Sequence, residues 1–560
     1  MCGIFGFLNN SLTPANVITS KIIEDSFNKG KHRGPDNSST TKLNNIIFGF
    51  HRLAINGLDT ISNQPIVIDN IYLICNGEIY NYKKIYEELN IIPQTNSDCE
   101  AIIHLYKLYG IETLLNMLDG VFSFILYDEN QKKIFVARDA FGVRPLYILG
   151  NADELTKSYN TDWLNAHIIG FSSELKQLSD IYHYINNVTE IVTLNQFTPG
   201  TYMEFSSSTN NKWYLSHHKR FFNYPLNNLS YKVTEEAITQ LISNFFTDAV
   251  KKRIETTERP IACLLSGGLD SSIVASIVSK HYNKQLETYS IGLPGSEDLK
   301  YAKIVSNYLG TKHTEIVVTE EDFFNAIPDV IYMIESYDTT TVRASVGNYL
   351  VAKYIAKNSE AKVIFNGDGS DELMGGYLYM NKAPNHLEFD KECKRLLSDI
   401  HLYDVLRSDR SISTNGLEPR TPFLDRKWVE FYLNIPSQMR FKSNKKQEKY
   451  LFRKAFENSK LLPDEILWRR KEAFSDGVSS LQKSWYEIIN DKVNVMNIPV
   501  KNYYDNNPKT NEQRFYRELF EKYYKNLSYN IPYFWMPKYI NATDASARTL
   551  SIYYTDQHLK

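Results

Sequence analysis

The sequence predicts an α+β half followed by an α/β half, and three observations carry that reading. Up to about residue 202, short apolar runs alternate with turn residues and only a few helical stripes interrupt them. A polar stretch at 208–229 follows and has no clear period. Beyond it the rhythm becomes strand, loop, helix, repeated, which implies a doubly wound, mostly parallel sheet with additional helices. A chain of 560 residues is too long for one hydrophobic core, so 208–229 reads as a linker between domains at 1–207 and 230–560.

In the first half, apolar runs at 121–127 and 134–137 flank a polar stretch at 128–133, the pattern of a hairpin. Ser97 and Glu100 stand at capping-box spacing before a helix with Ile102, Leu105, Tyr106 and Tyr109 on one face and Gly110 past its end. In the second half, the apolar run 261–265 leads into Gly267 and Gly268, after which Ile273, Val274, Ile277 and Val278 form a helical stripe. Residues 286–292 repeat the strand, a helix runs to Leu309 with Gly310 as its stop, and 315–318 and 363–365 are further strands. Such sheets bind ligands beyond the carboxyl ends of their strands, where the loops after Leu265 and Phe365 lie.

A net charge of −2 supplies no basic excess, which argues against nucleic-acid and membrane-surface partners and favours small anionic or zwitterionic substrates. Five widely spaced cysteines with no C-x-x-C pair fit neither a disulfide framework nor a zinc site, and point to a reducing, cytoplasmic setting. The apolar start lacks a basic n-region and is broken by Gly3 and Gly6, so no signal peptide is expected, and no run is long enough to span a bilayer.

Several residues carry chemistry, each beside a plainer reading. If Met1 is trimmed, the Cys2 thiol sits beside a free α-amine of pKa about 8, a local base for a thiol near 8.5; alone, Cys2 is simply a small residue. Asn76-Gly77 alone reads as a tight turn. L-L-S-G-G-L-D-S-S at 264–272 places glycines and hydroxyls where backbone N–H groups bind pyrophosphate at a helix start, or else simply caps the helix. No lysine follows the glycines, so it is not a Walker A loop, and Asp270 is a candidate magnesium contact. Lys471, after Arg469 and Arg470, alone reads as part of a solvated basic face.

The motifs resolve these choices together. M-C-G-I-F-G-F at the start, H-R-G-P-D at 32–36, R-L-A-I at 52–55, N-G-E-I-Y-N at 76–81, S-D-C-E at 97–100 and A-R-D-A-F-G-V-R-P-L-Y at 137–147 resemble, in order, the class II glutamine amidotransferase domain, an N-terminal-nucleophile αββα sandwich. The resemblance implies Cys2 as nucleophile, Arg52 on the glutamine carboxylate and Asp98 on its ammonium, with Leu53, Ala54, Ile55, Asn56 and Glu78 around the same substrate. Asn76 and the N–H of Gly77 would form the oxyanion hole.

S-G-G-x-D-S at 266–271 resembles the pyrophosphate loop of enzymes that cut ATP between its α- and β-phosphates. With Y-D-T-T-T-V-R-A-S at 337–345, G-S-D-E at 369–372, P-R-T-P-F-L-D at 419–425, W-R-R-K-E-A-F-S-D-G at 468–477 and N-A-T-D-A-S-A-R-T-L at 541–550, the chain is similar nearly end to end to glutamine-hydrolysing asparagine synthetases. That family implies L-glutamine, L-aspartate and ATP as substrates, Mg2+ as cofactor, and often a homodimer. By position, Leu265, Ser266, Gly267, Gly268, Asp270, Ser271, Ile291, Asn366 and Gly367 would bind ATP, and Asp270 and Asp371 would sit near Mg2+. Thr340, Thr341 and Arg343 would face aspartate or its adenylate, and Lys471 the α-phosphate.

The family loop S-G-E-G-S-D-E is here N-G-D-G-S-D-E, so Asp368 replaces the glutamate linked to adenylate formation. The carboxylate is retained on a side chain one methylene shorter, and the expectation is that the loop compensates. Two alternatives share this architecture: another carboxylate-adenylating amidotransferase or β-lactam synthetase-like enzyme, and a catalytically weakened nucleotide-binding homologue.

Overall fold

A computed structural model describes residues 1–8, 19–151, 169–188, 192–209, 211–225, 233–441, 447–550 and 553. The chain divides into two compact units, Met1–Asn223 and Tyr224–Lys560.

The first unit carries β1 (Gly3–Leu8), β2 (Asn37–Leu43), β3 (Ile46–Arg52), β4 (Ile66–Ile68), β5 (Ile71–Ile79), β6 (Gly120–Asp128), β7 (Lys133–Arg138), β8 (Tyr147–Asn151), β9 (Ile169–Ser172), β10 (Val192–Gln196), β11 (Thr201–Ser207) and β12 (Trp213–Arg220). They form two antiparallel sheets, ordered β10-β8-β9-β1-β3-β2 and β12-β11-β7-β6-β5-β4. Side chains alternate between faces along a strand. Ile4 and Leu8 of β1 accordingly meet Ile74 of β5 and Ile125 of β6 in the core between the sheets, and a Cβ at Gly6 would stand 2.5 Å from Ile125. Phe5 points the other way, edge-on to Phe27 of α1 (Ser20–Asn28). On the outer face of the second sheet, Leu73, Cys75 and Phe124 pack against Ile85 of α2 (Tyr82–Glu88) and Ile102 and Leu105 of α3 (Glu100–Met117). With α4 (Lys176–Val188) packed beside α1, the layers are helix, sheet, sheet, helix, the expected αββα sandwich.

Three local expectations change. The segment expected as a linker contains β12, whose residues 213–220 pair with β11 across a bulge at Glu204/Phe205. An edge strand wets one face and so lacks the apolar run that marks a central strand. Residues 210 and 226–232 of that region lie outside the described residues. Ser97 and Glu100 do not form a capping box, because the Glu100 carboxylate instead accepts from the backbone N–H of Gln94 (2.7 Å) and Thr95 (2.6 Å) in the preceding loop. Gly110 does break the helix, at φ 72°, but the chain re-enters helix at once, with Leu114 and Leu115 fully buried.

The second unit is built on a five-stranded parallel sheet of β13 (Ile261–Leu264), β14 (Glu287–Gly292), β15 (Lys312–Val317), β16 (Val363–Phe365) and β17 (Glu418–Arg420), ordered β15-β14-β13-β16-β17. Helix α5 (Glu235–Glu255) precedes it, α6 (Leu269–His281) follows β13, and α7 (Glu297–Leu309) follows β14 and stops at Gly310, φ 66°. The strand order reverses between β13 and β16, which opens a crevice at their carboxyl ends. Gly267, at φ +70°, turns the chain out of β13, and a Cβ there would lie 2.4 Å from the Tyr301 backbone.

Residues 419–425 fasten the outer strand to α5. Arg420 donates to Thr256 O (3.0 Å) and pairs with Glu418 (2.9 Å), while Asp425 takes Arg253 (2.7 Å) and Lys252 (2.5 Å) and caps the helix Arg426–Asn434. Burial alone would raise the Asp425 carboxyl, but Lys252 and Arg253 bring it to about 2. The stability it contributes is therefore complete above its unfolded pKa near 3.9 and is lost as pH falls through about 2. Asp425→Asn should destabilise the second unit by about 3–5 kcal/mol at neutral pH, since Arg253 stays buried without its partner; denaturant unfolding measures this, and the deficit should narrow in acid.

Candidate active sites

In the first unit, period-2 alternation along β5 places Asn76 on the same face as Ile74, towards the inter-sheet core against which Cys2 also packs. Asn76 is fully buried, and neither its amide nitrogen nor its amide oxygen has a hydrogen-bond partner among the described residues. A buried amide left this way costs about 1–3 kcal/mol, so the pair of atoms is a standing invitation to a polar ligand. Gly77 is not in a turn. It lies inside β5 opposite Phe122, and a Cβ would stand 2.6 Å from Val121 O.

Cys2 is half-buried, its Sγ 3.5 Å from Leu53 O. Its carbonyl accepts from Arg33 Nε at 2.9 Å, and Arg33 is held in turn by Glu174 at 3.1 Å. Burial would raise the Glu174 carboxyl, yet His32, Lys176 and Arg33 hold it well below the carboxylate range. The N-terminus is thus anchored through residues of H-R-G-P-D.

Arg52 ends β3, donating to Asp59 O and Asn63 Oδ1 (both 2.7 Å) and to the Gly57 carbonyl, so its guanidinium braces the loop that follows. Within that loop Ala54 N donates to Asp36 (2.8 Å), Leu53 and Ile55 are buried, and Asn56 donates to Glu78 (2.7 Å). Asp98 accepts from Ile79 N at 2.6 Å. Residues 52–56, 76–79 and 98 are thereby brought together beside Cys2.

In the second unit, an open cleft lies at the switch point between β13 and β16. Leu265, Ser266, Gly268, Asp270, Ser271, Ile291, Thr340, Asn366, Gly367, Asp368, Asp371 and Lys471 all line it. The loop after β13 closes on itself, with Gly268 N donating to Ser266 Oγ (3.3 Å) and the two serine hydroxyls 3.0 Å apart. The loop after β16 comes so near that a Cβ on Gly367 would lie 2.9 Å from Ser271 N.

Four charges alternate across the cleft. Lys449 lies 2.6 Å from Asp270 and 2.5 Å from Asp371, and Lys471 lies 2.5 Å from Asp371 and 3.9 Å from Asp270. Burial pushes the Asp371 carboxyl up, but Lys449 and Lys471 more than offset this and hold it well below the usual range. Burial would likewise lower the Lys471 ammonium, and Asp371 and Asp270 raise it instead. Lys471 is thus no solvated face.

Asp368 accepts from Arg407 at 2.9 Å through Oδ1, while its buried Oδ2 has no hydrogen-bond partner. Its pKa is raised by burial, opposed by Arg407 and reinforced by Asp404. Asn366 supports the same loop, donating to Ser408 Oγ (2.7 Å) and accepting from Asp368 N (3.3 Å). A smaller hollow, with room for little more than a water molecule, shares Thr340, Tyr377, Asp404 and Arg407 with the main cleft and adds Thr341 and Glu372.

Arg343 faces neither space. Its guanidinium is buried in bidentate contact with Glu512 (2.8 and 2.5 Å) and Asp544 (2.7 and 2.9 Å), and it stacks 4.8 Å from the Tyr486 ring centre. The structure does not bring it to the cleft with the other expected residues: two carboxylates satisfy its donors, as a buried charge requires. Lys449, Asp404 and Arg407 were missed. Lys449 sits in a lysine-rich run that reads as solvent-facing, and Arg407 lies in a helix with no marker of function in its spacing.

An αββα sandwich followed by a parallel-sheet unit with a glycine- and serine-rich loop at its switch point is the arrangement expected of an amidotransferase joined to a synthase. A model of the glutamine amidotransferase domain matches residues 1–216, and a model of asparagine synthase matches residues 241–390 and 381–530. The chain is 41% identical over 585 residues to the glutamine-hydrolyzing asparagine synthetases of Mesocricetus auratus and Cricetulus griseus, and 40% identical over 585 residues to that of Homo sapiens, with 99% of each chain covered. The chain belongs to the glutamine-hydrolysing asparagine synthetase family.

Proposed function

We propose that this protein makes L-asparagine from L-aspartate and ATP, using ammonia released from L-glutamine at Cys2. The observation that carries the reading is the switch-point cleft, in which the Asp270–Lys449–Asp371–Lys471 array stands with the carboxylate of Asp368.

In the amidotransferase unit, the α-amine exposed by loss of Met1 takes the Cys2 thiol proton, and the sulfur attacks the glutamine carboxamide. The oxyanion accepts hydrogen bonds from the Asn76 amide and the Gly77 N–H, and its collapse expels ammonia with the proton returned by the amine. Water then releases glutamate. Arg52 and Asp98 are assigned to the substrate carboxylate and ammonium, with Arg52 pre-set by the loop it braces.

In the synthase unit, the adenine end is assigned to the apolar wall of Leu265 and Ile291 and the triphosphate to the loop 266–271. The β-carboxylate of aspartate attacks the α-phosphorus, pyrophosphate leaves, and ammonia displaces AMP from the acyl carbon. Lys471 balances charge developing on the α-phosphate, and Lys449 is assigned the same task toward pyrophosphate. Aspartate is assigned to the end of the cleft beside Thr340, next to Thr341. Asp270 and Asp371 suit Mg2+, since Asp371 is held ionised and both carboxylates face the cleft; the ion would supply charge neutralisation on the phosphates. Five free cysteines support a reducing, cytoplasmic setting.

Glutamine labelled with 15N on its amide should yield labelled asparagine with AMP, not ADP; unlabelled product or ADP overturns the reading. Asn76→Ala should lower glutamine hydrolysis by about 10²–10³-fold, with ammonia-dependent synthesis preserved. Asp368→Asn should cost at least about 10²-fold in ammonia-dependent pyrophosphate release, whereas Asp368→Glu should stay within about tenfold of the parent, because Arg407 already steers the shorter carboxylate. A hundredfold gain in Asp368→Glu would show the loop to be uncompensated.

A further inference from the structure

Lys471 stands on a stretch with no regular structure, between the short helices Asp464–Leu467 and Phe474–Gly477. No backbone ladder therefore fixes its approach to the cleft, and side-chain ties on either side must do so. Arg469 is fixed by the body of the unit, stacked 3.9 Å from the Tyr301 ring centre. Arg470 and Glu472, the immediate neighbours of Lys471, are tied to the C-terminal segment instead. Glu472 takes Arg548 Nε at 2.7 Å and Tyr553 OH at 2.9 Å, and Arg470 stacks 4.5 Å from the Tyr553 ring and donates to its carbonyl. Just beyond, Arg548 donates to Ser480 O at 2.7 Å, and Ser546 donates to Asp476 at 2.7 Å.

The other end of the segment is moored to a rigid element. Asp544 forms the bidentate pair with Arg343 on the twenty-residue helix Thr339–Asn358, and Glu512 closes the far side of that guanidinium. Thr340, on the first turn of the same helix, lines the cleft. Asp544 thus ties this segment to the helix that borders the substrate space, and Arg548 and Tyr553 tie it to both neighbours of Lys471.

We propose that the C-terminal segment around Asp544, Arg548 and Tyr553 is a positioning strap that holds Lys471 at its working distance from the α-phosphate. This rests on the role assigned to Lys471 above. It gives N-A-T-D-A-S-A-R-T-L a task, and it turns Arg343 from a substrate contact into the mooring of the strap. Charge placed for a transition state must be pre-set, and a displacement of about 1 Å costs on the order of 10²-fold in rate.

The test uses full-length protein carrying Arg548→Gln, Arg548→Lys or Lys471→Met, assayed with saturating ammonia. Arg548→Gln should lower kcat for pyrophosphate release by about 10²-fold while KM for ATP stays within about threefold, because the loss falls on a transition-state contact. Arg548→Lys, which keeps one charged donor for Glu472, should recover most of the loss. Glutamine hydrolysis at Cys2 should match the parent, while the midpoint of thermal unfolding falls in Arg548→Gln, because Glu472 loses its buried cation, and recovers in Arg548→Lys. The strap is overturned if Arg548→Gln keeps parental kcat, if its loss appears in KM alone, or if glutamine hydrolysis falls with it, which would mark a general structural role. Lys471→Met separates the two readings. If it is inactive while Arg548→Gln is parental, the strap alone fails; if it keeps parental kcat, the role of Lys471 fails and the strap with it.

Discussion

The alternating array Asp270, Lys449, Asp371, Lys471 is the interaction around which the second unit is organised. Its members come from the first turns of the helices that follow β13 and β16 and from two segments much later in the chain. A charge taken out of water must be paired, so the array draws four distant stretches to one point at the switch of the parallel sheet. Each aspartate can exchange a lysine for another cation, and each lysine an aspartate for a phosphate, with little net change in charge. A site built this way accepts a polyanionic substrate without leaving any of its own ions bare.

The first unit answers a different constraint. Its sheets are covered on both faces, so β1 and β5 are buried almost throughout, and a polar residue inside them is costly. Asn76 stands out for that reason: a buried amide with two unused hydrogen-bonding atoms survives where a hydrophobe would pack better. Gly77 beside it keeps the strand close to Val121 and Phe122. The two residues that the N-G spacing alone assigns to a turn are neighbours within one strand, at the site proposed for glutamine.

Local chemistry was readable wherever neighbouring residues carried it. The hairpin at 120–138, the Gly267 turn into α6 and the Gly310 stop of α7 follow from residue type and spacing, because each depends on contacts within a few positions. Three local expectations gave way for one reason. Residues 213–220 are a strand only because β11 offers an edge, Glu100 takes the backbone of the loop before it as well as His104 of its own helix, and Arg343 turns from the cleft because Glu512 and Asp544 reach it from far along the chain. In each case a partner outside the element itself set the outcome, and for Arg343 that partner is remote in sequence.

The sequence by itself determined the two fold classes and the family, and it supplied most of the residues proposed for the sites, since the motifs that carry them are short and contiguous. Only the tertiary structure decided how those motifs are completed. It set Lys449 between two aspartates, set Arg407 on Asp368, and moored the C-terminal segment to both neighbours of Lys471. The physical reason is that ion pairing in a buried site is selected by distance in space, and spacing along the chain carries no record of it.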